Sequence, residues 1–195
     1  FKPIIKTENF LQVQVTGAAE LRQWLANNYQ QKQSVWLVSY KKLIANKYVS
    51  TSEVLDALLC FGWIDGIKRK IDEERVMQMI SPRRVEHWTQ TYKDRFAKLE
   101  KEGRMMDAGR EAVQRSKAAG LWNLMDDVDK LIKPADFVES LQNHFPASQN
   151  FDAFAPSSQR FILRWIKLSK TDATRAKRIE LAATLAAQNK KIPGV

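Results

Sequence analysis

The side chains best placed to do chemistry gather between Gly62 and Arg84. The run Gly62-Trp63-Ile64-Asp65-Gly66-Ile67-Lys68-Arg69-Lys70-Ile71 reads as a strand, and period-two alternation sets Asp65 on the face of Trp63 and Ile67. If that face meets the core, a carboxylate is turned inward, at a cost on the order of several kcal/mol unless it is paired or hydrogen-bonded. Cations stand nearby in sequence order: Lys41 and Lys42 after the preceding strand, Arg83 and Arg84 after the hairpin. One reading is a polar pocket walled by Trp63 and Trp88, in which Lys41, Arg83 and Arg84 hold a small anion and Asp65 orients it. Planar guanidinium groups suit phosphate or carboxylate. The other reading is structural: Asp65 bonds backbone amides in its turn or bridges to one arginine.

Ser81-Pro82-Arg83-Arg84 is predicted to open a helix, with proline in its first turn. Free amides there would add to the two guanidinium groups in binding an anion; alternatively Ser81 is only an N-cap. Asp65 could instead serve as a general base in acyl or phosphoryl transfer, with the arginine pair as electrostatic stabiliser. A Cys60–His87 nucleophile pair is the one other catalytic pattern the residue types would allow. His87 and His144 lie far apart with no second ligand at metal-binding spacing, and Cys60, between Leu59 and Phe61, reads as a small core hydrophobe. The sequence has no glycine-rich phosphate loop, nucleophile elbow or His-Glu-x-x-His pair. No metal or cofactor is expected.

These residues need elements to hold them. Leu21, Trp24, Leu25 and Tyr29 recur at helical spacing after Thr16-Gly17, and Val35 to Tyr40 is a β-branched and aromatic strand. Ser50 with Glu53 forms a capping box for a helix over Thr51 to Phe61. Asp72-Glu73-Glu74 is a turn leading into a return strand, Arg75 to Ile80, giving a small antiparallel sheet of three strands, about the minimum for stability. Beyond it, Val85, Trp88, Tyr92, Phe96 and Leu99 mark one helical face that Gly103 ends. Further helices are predicted over 107–119, 134–144, after Pro146, 157–168 and 172–188, and the residues from Lys190 onward as a frayed tail. The fold class is therefore α+β: mainly helical, with a small antiparallel sheet in the N-terminal half. A run of acids before Pro134 marks the boundary between an α+β part, 1–125, and an all-helical part, 126–195.

Lys and Arg number 32 against 22 Asp and Glu, a net charge of +10, which draws anions to the surface or simply keeps the chain soluble. Arg164, Lys167, Lys170, Arg175, Lys177 and Arg178 concentrate that charge on the last two helices, a candidate surface for nucleic acid or an acidic partner. A solvated helical face is the default explanation. The single cysteine excludes an internal disulfide. No stretch approaches the roughly 18 apolar residues of a membrane span. Phe1-Lys2-Pro3-Ile4-Ile5 has no secretory pattern, so a cytoplasmic location is expected.

The order of motifs resembles the YdeI/OmpD-associated family. Val35-Trp36-Leu37-Val38-Ser39-Tyr40-Lys41-Lys42, Phe61-Gly62-Trp63-Ile64-Asp65-Gly66 and Ser81-Pro82-Arg83-Arg84 carry the resemblance in the first half. Gly103-Arg104-Met105 with Gly109, Lys133-Pro134-Ala135-Asp136, and Thr174-Arg175-Ala176-Lys177-Arg178-Ile179 extend it, so that it covers about residues 20 to 185. The segment from Pro134 resembles that family's C-terminal helical module. The resemblance implies a bacterial origin and a name tied to bacteriocin protection or an outer-membrane porin, and it implies no chemistry. Tyr92 stands where such relatives often carry asparagine, so one polar group of a site is expected to be missing.

Overall fold

The computed structural model describes residues 9–194. The opening Phe1 to Ile5 segment lies outside them, as does Val195. The chain separates into two units, one ending at Trp122 and the other starting at Asn123.

The first unit alternates strands and helices before turning helical. It runs β1 (Gln12–Gln14), α1 (Ala18–Asn28), β2 (Val35–Tyr40), α2 (Thr51–Cys60), β3 (Trp63–Lys70), β4 (Arg75–Pro82), α3 (Gln90–Lys101) and α4 (Asp107–Ala118). Its sheet has the order β1-β2-β4-β3. The β2, β4 and β3 strands pair antiparallel, whereas β1 pairs parallel with β2, so the sheet is mixed and has a fourth strand. The parallel pair is joined through α1, the crossover that such pairing requires.

One sheet face, with Val13, Val35, Leu37, Trp63 and Ile80, packs into a core with Leu21 and Leu25 of α1 and Leu58 and Leu59 of α2. The α2 helix starts at a complete capping box: Glu53 N–H donates to the Ser50 hydroxyl, and the Ser50 N–H donates back to the Glu53 carboxylate. It ends at Gly62, whose φ of +72° lets the chain reverse directly into β3.

Two local expectations fail for long-range reasons. Ser81 and Pro82 do not open a helix; they continue β4, opposite Ile64 and Trp63. The Ser81 hydroxyl also meets that of Ser34 at 2.7 Å. Proline is tolerated at this strand end, past the last β2–β4 pair at Ile80. The second failure is in β3, where a bulge between Asp65 and Lys68 breaks the alternation. Ile67 and Ile71 therefore do not share the buried face of Trp63: they are 54% and 37% exposed, and Trp63 is fully buried.

The second unit is helical: α5 (Asp126–Asp129), α6 (Ala135–Asn143), α7 (Ala147–Ala153), α8 (Pro156–Lys167) and α9 (Asp172–Ala187). Its own core unites Phe137, Leu141, Phe151, Ile162, Ile166 and Ala183. Ile192 joins that core at 3% exposure, so the tail is anchored by one apolar side chain instead of fraying from Lys190.

Candidate functional site

Arg83 follows the last residue of β4, and its backbone N–H donates to Gly62 O at 2.9 Å, which fixes it against the start of β3. Only 7% of Arg83 is exposed. Its Nε donates to Trp63 O at 3.3 Å and an outer nitrogen donates to His87 O at 2.5 Å. The guanidinium carbon lies 4.1 Å from the Tyr92 ring centre and 4.6 Å from that of Trp88, both within cation–π range. Among the described residues no carboxylate forms an ion pair with it. Burial accordingly pulls its pKa down to about 10, with Tyr92 and Asp65 opposing the fall. The group remains charged at neutral pH.

Asp65 stands opposite the fully buried Ile80, at the half-buried rim of the core face. Its two oxygens are both engaged: Tyr92 Oη donates to Oδ1 at 2.6 Å and Gln78 Nε2 donates to Oδ2 at 3.2 Å. Gln78 is buried on β4 and also donates to Gly66 O. Burial, with the bond to Asp65, raises the Tyr92 phenol to about 12, which keeps it a neutral donor. Tyr92 thus supplies Asp65 with a polar group, reaching it from α3.

Trp88 is 1% exposed and packs against Trp122 at 5.0 Å and edge-on to Phe96 at 6.4 Å. Among the described residues its buried Nε1–H has no hydrogen-bond acceptor.

The other residues singled out from sequence lie elsewhere. Trp63 turns its ring away into the core, where Nε1 donates to Tyr29 O at 3.0 Å and the indole meets Trp24 edge-on. It therefore offers Arg83 a carbonyl, and the aromatic faces beside the guanidinium are those of Trp88 and Tyr92. Lys41 sits at the opposite end of β4, its ammonium donating to Asp72 O at 2.8 Å. That is the length of an eight-residue strand away from Arg83, about 25 Å. Arg84 points outward and is exposed. Structure thus brings together Asp65, Arg83 and Trp88, adds Tyr92 and Gln78, and separates Lys41, Arg84 and the Trp63 ring from them.

Cys60 is fully buried, and its thiol donates to Arg104 O at 3.3 Å. Burial pushes its pKa up, against the pull of Arg22 and Arg104. The basic stripe of the second unit is partly spent internally: Lys167 pairs with Asp127, Arg175 with Asp136, and Arg178 donates to Trp165 O. A groove of about 540 Å³ between α6 and α9 is lined by Asp136, Glu139, His144, Asp172, Arg175 and Glu180. Among the described residues no His, Cys, Asp and Glu side chains form a metal-binding group, and no helix is long and apolar enough to cross a membrane.

Comparison with known families divides the chain much as its two cores do. Residues 13–112 match a domain of unknown function (DUF8412), and residues 130–189 match the family described as Bacteriocin-protection, YdeI or OmpD-Associated. The motifs from Val35 to Gly109 fall within the first match, and those from Lys133 to Ile179 within the second. No curated protein and no solved structure matches the chain. The chain belongs to the DUF8412 family, and its helical second unit carries a match to the YdeI/OmpD-associated family model.

Proposed function

We propose that the first unit is a binding module for a small oxyanion, a carboxylate or phosphate, taken up beside Arg83. The observation that carries this reading is the meeting, in one aromatic cluster, of a buried charge with no ion-pair partner and a buried donor with no acceptor. Among the described residues, Arg83 is a buried cation with no carboxylate in ion-pair contact, and Trp88 has a buried N–H with no acceptor. A buried charge without its counter-ion is strongly unfavourable, and an orphaned donor costs about 1–3 kcal/mol. An oxyanion would answer both demands. Asp65 and Gln78 then act as positioning residues, because they fix the Tyr92 ring that flanks the guanidinium. An acid–base role for Asp65 has less support, since both its oxygens already accept internal donors.

The test is thermal unfolding of the whole chain in low millimolar phosphate, sulfate, acetate and benzoate, below the range of general salt exclusion. Selective binding to the folded state must raise the melting temperature. The rise should be present in wild type and lost in Arg83→Lys, which keeps the charge but not the planar fork. An equal rise in both proteins would remove the site from the proposal, and no rise with any oxyanion would remove the function.

A further inference from the structure

Among the described residues, strand β3 ends the sheet, and one of its two edges faces no other strand. Gly66, Ile67, Lys68, Arg69 and Lys70 along it are all exposed. Edges of this kind are templates for an added strand, because their backbone N–H and C=O groups lack partners. The side chains on this edge are sorted by face. Lys68 and Lys70 stand opposite Gln78 and Val76, on the core-side face of the sheet. Arg69 stands opposite Met77 on the other face, where its guanidinium lies 5.2 Å from the Trp36 ring centre. Ile67, in the bulge beside Met79, is 54% exposed. Lys70 meets Glu73 in an ion pair whose members are 60% and 87% exposed, a contact of small worth. Among the described residues Lys68 has no acidic partner.

We propose that this edge accepts an extended segment of a partner protein in which acidic and apolar residues alternate. A strand laid along β3 places its successive side chains on opposite faces. Carboxylates would then meet Lys68 and Lys70 on one face, and apolar side chains would meet Ile67 and the stem of Arg69 on the other. Main-chain hydrogen bonds supply affinity and the alternation supplies specificity. The same lysines discourage a second copy of this chain, since edge-to-edge pairing would set like charges across from one another. The net charge of +10 further favours encounter with an acidic segment. This surface is independent of the oxyanion site.

The experiment uses the whole chain and a short blocked peptide alternating glutamate and valine. Binding is read by calorimetry, and its place by amide hydrogen exchange. The peptide should bind and slow exchange within Gly66 to Lys70. A peptide alternating glutamate and proline has the same charge but cannot complete the ladder, and should bind at least about tenfold more weakly. Lys68→Glu with Lys70→Glu should weaken the valine peptide by about tenfold, with the melting temperature little changed. Equal binding of the two peptides, or protection appearing elsewhere, would overturn the proposal. So would displacement of the valine peptide by a lower concentration of a single-stranded oligonucleotide, which would assign the basic edge to nucleic acid.

Discussion

The hydroxyl of Tyr92 donates to Asp65 Oδ1 at 2.6 Å while the ring of the same residue lies 4.1 Å from the guanidinium carbon of Arg83. One side chain thus joins an anion and a cation that do not form an ion pair with each other. Through it α3 is tied to β3 and to the end of β4. The arrangement satisfies both carboxylate oxygens but leaves the guanidinium without direct neutralisation.

Tyr92→Phe separates these two roles. The ring stays over Arg83, whereas Asp65 Oδ1 loses its donor at a half-buried position. The expected loss of stability is about 1–3 kcal/mol, the usual cost of orphaning such a group. Urea unfolding at neutral pH measures it. A loss below about 0.5 kcal/mol would mean that water replaces the hydroxyl freely and that the bond is not a structural tie.

Trp88→Phe removes the orphaned N–H and part of the indole volume. Relief of the unmatched donor offsets part of the cavity cost, so the net destabilisation should fall below the roughly 3–5 kcal/mol of a full aromatic truncation. The oxyanion-dependent rise in melting temperature should shrink in this variant. A variant that responds to oxyanions as wild type does would exclude the indole N–H from binding.

Some of this was readable before the fold was known and some was not, for identifiable reasons. The Ser50–Glu53 box and the β2 run depend on neighbours within a few residues, and both are found as read. Ser81-Pro82 carries the local pattern of a helix start, yet ladder partners at Ile64 and Trp63, distant in sequence, hold it in a strand. Alternation carries no sign of a bulge, so it puts Ile67 on the wrong face. The link from Tyr92 to Asp65 depends on how α3 packs against β3, and helical spacing marks Tyr92 only as another apolar-face residue. Lys41 and Arg83 carry complementary chemistry, but they lie at opposite ends of β4.

Gly109→Ala tests the close approach of α4 to α2. A Cβ at Gly109 would lie 2.6 Å from both the Cys60 and Leu59 carbonyl oxygens and 2.4 Å from Met105 Cε. The methionine tip can move, but the two backbone oxygens cannot without shifting a helix. Alanine gains about 1 kcal/mol in helix propensity, which the forced separation should exceed. Net destabilisation of about 1–3 kcal/mol is expected in chemical denaturation. Unchanged or increased stability would show that the helices part easily.

His144 makes the stability of the second unit depend on pH. Its Nδ1 lies 2.8 Å from Ser140 O and its Nε2 lies 2.9 Å from Glu180 Oε1, so both ring nitrogens face acceptors. Only the protonated ring can donate to both at once. The Ser140 carbonyl above all raises its pKa over that of an ordinary imidazole; burial opposes this, and the Glu180 carboxylate adds to the rise. A histidine whose folded pKa is raised contributes stability that is fully present below the unfolded pKa and is lost as pH rises through the folded one. The neighbouring Asp136, hydrogen-bonded to Arg175, is held below the usual carboxylate range and stays ionised throughout that window. His144→Asn should therefore lower stability more at pH near 5.5 than near 8.5, by about 0.5 kcal/mol, the scale of a solvent-exposed pair. Glu180→Gln should remove part of that difference and leave the part due to Ser140. Equal destabilisation by His144→Asn at both pH values would mean that the ring is held by packing alone, with no contribution from its charge.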